Sequence, residues 1–542
     1  LLGLDLSQSR QSYYGQPIYF NLARNQDLLL TAYINDQRGG RLDASYRLLF
    51  GTQRLLFATH WIYNDQMFAS KIAKMNYDLS DPVETKLYNI QKKWSKTRYD
   101  LMFHYHNQLT KDWMLNMQWR KTRDAFFYDD YQEKMFPIRL PGFEDIVEQV
   151  KAEKFQFENF ARLEGSYANA SWLFETQRYH ELMTLKRYYI DNLYSRFLNL
   201  TVSYPWTSAF HIQSNLTRFG FSSGIVQTTD NNPTGWRWLV LPEIKWSDAP
   251  FLLRSKLYGK HYYTSLGGQH KSQTKVIPSF VLELQSNKQE DIRWNIDYHY
   301  IPMIKQNNLP EFDVSLKRFE FDTLHDDNRF KGYDRIGDTS HVNIELDYQW
   351  DQWLEFRLGQ RLALRKNRQC LDINCEGDWL AKHHVSPSLI GAKYRGYPNV
   401  EVNMSAAYHV PIQSWLHRTI GLDYQRDRFG LMVDYKVEKD ALTDDLLLHK
   451  TSSYKERLWR VQSHWDIGRH WNVSIAYKRK LLSERFGEYQ AKVRYNHCCW
   501  SIEALVGASK EGDVQTKQAF KNHYYELRLN IPQFFDTLKN QT

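Results

Sequence analysis

Several groups of residues have types and spacings that could do chemistry. Gly220-Phe221-Ser222-Ser223-Gly224 fits the G-x-S-x-G pattern, in which the middle serine attacks a carbonyl from a sharp strand-to-helix turn. His104 and His106 share one face of an extended segment and His383-His384 are neighbours, so either pair could ligate a metal. Cys370 and Cys375 lie in a polar stretch, where they could close a local disulfide in an oxidising compartment. The same two thiols could instead join His383 or His384 around zinc. Cys498 and Cys499 are adjacent, and neighbouring cysteines bond one another only with strain. Asp334, Arg335 and Asp338 could form ion pairs that fold a long segment inward.

The elements that must position these groups argue against catalysis. A nucleophile elbow needs strands alternating with helices, and no such alternation surrounds Ser222. Histidine pairs in aromatic-rich strands read as packing or polar-lumen residues, and the Cys370/Cys375 spacing fits no standard zinc site. What runs from end to end is a period of two. In Asn399–Pro411, Val400, Val402, Met404, Ala406, Tyr408 and Val410 interleave with Glu401, Asn403, Ser405, Ala407 and His409. Successive side chains of a strand point to opposite sides, so one face meets an apolar medium and the other meets water. Arg41–Phe50, Asp291–Tyr300, His341–Trp350, Trp471–Lys478 and Glu488–His497 repeat the pattern.

Segments of roughly nine to eleven residues are what a tilted strand needs to cross a bilayer, whereas strands of soluble folds cluster near five or six. Aromatic residues form 15% of the chain, with 36 Tyr and 18 Trp, and many fall at strand ends such as Trp350–Trp353, Trp415 and Trp465–Trp471. Interfacial girdles of a membrane barrel have that placement. The mean hydropathy of −0.65 and the lack of a long apolar run exclude a helical membrane protein, but not a barrel with a polar lumen. At about twenty residues per strand and loop, 542 residues supply about two dozen strands. A lumen that wide needs a plug or a large passenger. The net charge of +9 is spread without a basic block, so nucleic acid is not an expected partner.

Turn signals such as Gly39-Gly40, Asn231-Asn232-Pro233, Gly267-Gly268 and Asn307-Asn308 punctuate one continuous domain. Pro141–Lys154 is the one segment read as a short helix. Phe126–Leu140, Lys305–Asp338, Arg365–His384 and Lys510–Lys521 read as long extracellular loops. No basic-plus-apolar leader precedes Leu1, so the export signal is expected to lie outside this numbering.

Ordered motifs add a resemblance. Gln16-Pro17-Ile18-Tyr19-Phe20-Asn21-Leu22-Ala23-Arg24-Asn25 and Asp124–Tyr131 come first. Asn232-Pro233-Thr234-Gly235-Trp236-Arg237 with Leu241-Pro242, then Gly259-Lys260-His261-Tyr262, follow. The strongest stretch is Tyr298–Pro302, Leu309-Pro310-Glu311-Phe312-Asp313 and Asn328-Arg329-Phe330-Lys331-Gly332-Tyr333-Asp334-Arg335-Ile336-Gly337-Asp338, with Gly359-Gln360 and Cys498-Cys499-Trp500 behind it. In order and spacing this series resembles the barrel domain of the lipopolysaccharide-assembly LptD family. The periplasmic β-jelly-roll domain of that family has no counterpart in residues 1–542.

The resemblance implies an all-β fold, a large transmembrane antiparallel β-barrel of about 26 strands in the cell outer membrane. It implies a translocon rather than an enzyme, with no cofactor and no resident metal. Lipopolysaccharide would be the substrate, its saccharide passing through the lumen and its lipid A leaving through a lateral gate into outer-membrane lipid. A lipoprotein plug, LptE, would sit in the lumen, and periplasmic Lpt bridge proteins would dock through the N-terminal domain. The gate would lie between Leu2–Gln8 and Asn522–Ile531, with Gly3, Pro17, Asn21, Tyr524, Leu527 and Leu529 as its residues. Pro17 matches the family's second-strand proline, and a proline cannot donate to a ladder. Gly3 stands where the family has a first-strand proline, and glycine weakens a strand through entropy and lost packing. The family ties Cys498 and Cys499 to cysteines of the periplasmic domain. Asn328, Arg329, Gly332, Asp334, Arg335, Gly337 and Asp338 form the loop motif of the resemblance. The alternative to a translocon is a general substrate channel of the porin type.

Overall fold

A computed structural model describes residues 5–530, except 9–11, 36–37, 74–79, 81–84, 86–87, 90, 125–126, 128–155, 182–193, 222–232, 267–268, 287–290, 307–308, 318, 371–378, 440–454, 481–486, 498–499 and 513–518. Among those residues one antiparallel sheet of 26 strands dominates. Each strand pairs with the next in chain order, from Asp5–Gln8 against Ser12–Ala23 to Ser501–Gly512 against Ala519–Asn530. Such a meander needs only hairpins, and each hairpin reverses the chain without a crossover.

The two faces differ as a barrel requires. In Gly39–Phe50, Arg41, Asp43, Ser45 and Arg47 are buried on the inner face, while Leu42 on the outer face is exposed. The outer set of Trp471–Lys480 exposes Trp471, Ile475 and Tyr477 in the same way. A water-soluble strand would bury these apolar residues and expose the arginines. The soluble sandwich is therefore excluded by the sense of the faces. Among the described residues, no helix is long and apolar enough to cross a membrane.

Connections alternate in length around the sheet. On one rim they are tight: 51–52, 168–169 and 398–399 join strands directly, and Ala168 (φ 50°), Asn169 (φ 64°) and Asn399 (φ 67°) are left-handed. Left-handed pairs match the right-handed twist of a hairpin. The other rim carries 64–97, 123–155, 302–338 and 364–387. Strand positions agree with the alternation within a few residues, as in Val400–His409, Ile292–Ile301 and Gly487–Asn496.

Two expectations need correction. Half of Lys510–Lys521 is ladder, because Ser501–Gly512 and Ala519–Asn530 pair up to Gly512 and Ala519; residues 513–518 lie outside the described residues. These strands continue beyond the apolar band, where both faces turn polar and the alternation fades. Helices occur at Gln66–Ala73, which the sequence pattern does not single out, and at Trp379–Lys382, inside the stretch Arg365–His384 that reads as loop. Asp65 starts the first by accepting from the Phe68 amide at 2.9 Å, an N-cap ahead of the buried Phe68. Pro141–Lys154 and nearly all of Phe126–Leu140 lie outside the described residues.

Candidate functional site

The connection 302–338 folds into the barrel and lies against the inner faces of the strands from Tyr194–Pro205 to Ser388–Tyr397. Phe312 anchors it apolarly: its ring stacks on Phe219 at 4.4 Å and meets Tyr194 edge-on at 4.9 Å. Ile336 joins Leu241, Tyr258, Ile277 and Ile301 in a second buried cluster. Each cluster mixes loop residues with inward residues of several strands, so apolar burial holds the loop to the wall.

Charge is buried beside these clusters. Arg237, on the inner face of Thr234–Asp248, donates to both Asp313 oxygens (2.7 and 2.8 Å) and to Asp334 (2.8 Å). Asp334 also accepts from the Tyr262 hydroxyl at 2.9 Å and from the Phe312 and Asp313 amides at 2.6 and 2.9 Å. Burial, then the Asp313 charge, pushes the Asp334 carboxyl above its ordinary range. Burial pushes Asp313 the same way, but the Arg237 guanidinium overrides it and holds Asp313 low. Lys260 donates to Gln306 Oε1 (2.9 Å) and to the carbonyls of Tyr333 and Asp334. Arg237, Lys260 with Tyr262, Asp313 and Asp334 come from four separated motifs of the sequence, and the fold brings all four together.

The rest of the loop motif closes on itself. Asn328 accepts from the Gly337 amide and donates to the Arg335 carbonyl, both at 3.0 Å. Arg329 donates to the Asp338 carbonyl at 2.7 Å. Arg335 pairs with Glu311. At Gly332, φ is +68° and a Cβ would overlap the Asp313 carbonyl oxygen. Asp338 accepts from the amides of Arg368 and Gln369 at 3.0 and 2.9 Å, tying in the next connection. Cys370 beside them is disulfide-bonded, which removes it as a zinc ligand; Cys375 lies outside the described residues.

Sequence reasoning missed His325. Its Nε2 lies 2.6 Å from Glu345, and Nδ1 contacts Asp297. Burial opposes the imidazolium, but the hydrogen bonds to Asp297 and Glu345 raise His325 to about 9. A second cluster was also missed. Arg98 donates to Asp124 (2.8 Å) and Asp65 (2.9 Å) with its guanidinium 4.1 Å from the Phe68 ring centre. Only the distant spacing of opposite charges flags either group, and that signal is weak.

The catalytic-looking residues do not assemble. Ser222 is outside the described residues, His106 contacts Asn116, and His384 contacts the Ala363 carbonyl. No cluster of potential metal ligands occurs among the described residues.

The ends of the sheet form the other place of interest. Asp5–Gln8 and Ala519–Asn530 come within 8 Å between Cα atoms, yet no ladder joins them among the described residues. Among the described residues Asp5–Gln8 pairs with Ser12–Gly15 of its neighbour. Pro17 is buried and faces Thr31 of the next strand. Asn21 is exposed, Leu527 is exposed, and Tyr524 and Leu529 lie opposite Gly507 and Ile502. Gly3, Cys498 and Cys499 lie outside the described residues.

With this geometry in hand, comparison with known proteins is decisive. The pattern of the LptD family, described as LPS transport system D, matches residues 96–474. The chain belongs to the LptD family. Similar relatives are the LPS-assembly proteins LptD of Haemophilus influenzae (20% identical over 96% of this chain and 66% of that protein) and of Coxiella burnetii (21%, 96% and 63%). The LptD of Pseudomonas syringae is 20% identical over 90% of this chain and 57% of its own length. The chain thus spans about two thirds or less of these relatives. Solved structures it resembles include the FrpB iron transporter from Neisseria meningitidis (TM-score 0.36, 9% identity, 98% of this chain, 81% of that one). A ferric enterobactin receptor from Pseudomonas aeruginosa follows (TM-score 0.36, 8%, 97% and 80%). As an LptD barrel, the chain is a multi-pass β-barrel of the outer membrane.

Proposed function

We propose that this LptD barrel inserts lipopolysaccharide into the outer leaflet, with the saccharide in the lumen and lipid A leaving between the first and last strands. The observation that carries the reading is that, among the described residues, Asp5–Gln8 and Ala519–Asn530 touch without a ladder, where the other neighbouring pairs of strands share hydrogen bonds. Opening a complete ladder inside a membrane strands backbone groups with no water to take them. A contact without a ladder avoids that penalty. Pro17, which offers no N–H, supports the same place as the gate.

A lumenal partner has room. From Ser414 to Asn496 only Gly430 and Val437 are buried among the described residues, so that wall is uncovered while the opposite wall holds the 302–338 connection. A lipoprotein plug such as LptE would fill it, and the periplasmic bridge would deliver substrate through the domain that precedes the barrel in the family. A porin-type channel fits less well, because a lumen partly filled by a bonded loop impedes free diffusion.

Photo-crosslinking in cells tests the reading. Probes at Leu6, Leu527 and the lumenal Arg494, in the full-length protein, are expected to capture lipopolysaccharide, and capture should stop when transport is blocked. Absence of adducts from a folded protein would reject the translocon.

A further inference from the structure

Six adjacent strands carry a row of cations and rings on their outward face, close to the rim of long connections. The row runs Arg178 (Ala170–Glu181), Phe197 (Tyr194–Pro205), Arg218 (Phe210–Phe221), Trp236 (Thr234–Asp248), Tyr263 (Phe251–Leu266) and His270 (Gln269–Gln285). Register fixes the alignment: Arg218 lies opposite Trp236, and Trp236 opposite Tyr263. Leu198 and Trp238, exposed in the same outward set, show that this side faces lipid.

Each arginine rests on a ring, and the histidine stacks on another. The Arg178 guanidinium is 5.0 Å from the Phe197 centroid, and that of Arg218 is 5.6 Å from Trp236. His270 stacks on Tyr263 at 5.4 Å. Between them lies a recess of about 350 Å³ lined by Phe197, Arg218, Trp236, Tyr263, Ser265 and His270. No carboxylate pairs with Arg178 or Arg218 among the described residues, whereas the inward arginines nearby, Arg162 and Arg237, both have one.

Unpaired guanidinium groups on a lipid-facing wall are costly at the bilayer centre and tolerated at headgroup depth. There an arginine stacked by its face keeps its N–H edge free, and that edge matches a phosphate bidentately. Two strand spacings separate Arg178 from Arg218, roughly 10 Å. We propose that this row binds the headgroup of an anionic outer-leaflet lipid bearing two separated phosphates, one on each arginine, with its apolar part in the aromatic recess. The site needs only the outer-membrane barrel and is independent of the gate.

Native mass spectrometry of the full-length protein in detergent tests it, with bisphosphorylated lipid A, phosphatidylglycerol and inorganic phosphate as probes. Wild type is expected to retain lipid A about tenfold better than R178Q/R218Q, the size of losing charge-assisted hydrogen bonds. R178K/R218K should fall between them. Both variants change outward side chains that touch one ring each, so lipid-free melting should stay unchanged, and any lumenal lipid is common to all three. Equal retention of lipid A by R178Q/R218Q overturns the proposal. So does equal retention of phosphatidylglycerol by wild type, or displacement of lipid A by inorganic phosphate at matched concentration.

Discussion

Arg237 has 3% of its side chain exposed and two carboxylates within 2.8 Å, so its charge is committed to the loop. Removing one member of a buried ion set leaves the others uncompensated, at about 3–5 kcal/mol. Arg237→Met should therefore release the 302–338 connection while the strands stay paired, seen as new protease cleavage there with unchanged heat-modifiable migration. Gly332→Ala acts at the same place through backbone: φ +68° and the overlap with Asp313 predict about 1–3 kcal/mol of loop destabilisation by the same assay. His325 gives the pH dependence. Its folded value of about 9 lies above the ordinary 6.5, so the imidazolium's contribution is complete below about pH 6.5. It declines as pH rises through about 9, and the protection of the loop amides from hydrogen exchange, taken relative to their intrinsic base-catalysed rates, should fall across that window. His325→Gln should remove that fall in protection. Asp334, Arg335 and Asp338 were legible as charges that fold the loop inward, but their partners are not one another: Asp334 pairs with Arg237, Arg335 with Glu311 and Asp338 with Arg329. Arg237, Asp313 and His325 were not, since Arg237 meets Asp334 across 97 positions.

At the scale of elements, the strands were legible because each one must satisfy lipid and lumen at once. That double demand writes a period of two into ten or more residues, as in Trp471–Lys480. Where the demand stops, so does the signal. Ser501–Gly512 and Ala519–Asn530 run past the apolar band with polar residues on both faces, and pattern alone took their ends for loop. The inward fold of 302–338 has no period either; it depends on Phe312 and Ile336 finding rings and aliphatic side chains on distant strands. A ladder on each side sets the strength of an element. Among the described residues Asp5–Gln8 has one on a single side, whereas Phe251–Leu266 has one on both. Amide exchange in Asp5–Gln8 should thus outpace that in Phe251–Leu266 by about tenfold or more in detergent, since segments with fewer hydrogen bonds open at low free energy.

Considered whole, the barrel is lopsided. One side of its wall is braced by the bonded connections 302–338 and 364–387, and the other, from Ser414 to Asn496, is bare among the described residues. Rigid bracing on one side directs any deformation to the other, toward the place where the described parts of the first and last strands touch without a ladder. A tether across that contact is therefore the perturbation to which the proposed function is most sensitive. A cysteine pair introduced between Asp5–Gln8 and Ala519–Asn530 in the full-length protein should drop lipopolysaccharide delivery to background when oxidised and restore it on reduction. The same tether between Ser474 and Lys492, which face each other in a paired hairpin, should leave delivery intact, because that ladder does not open. If both tethers were silent, lipid A would have to leave by a route other than the seam; if both were inhibitory, the barrel would deform as a whole and the seam would hold no special place.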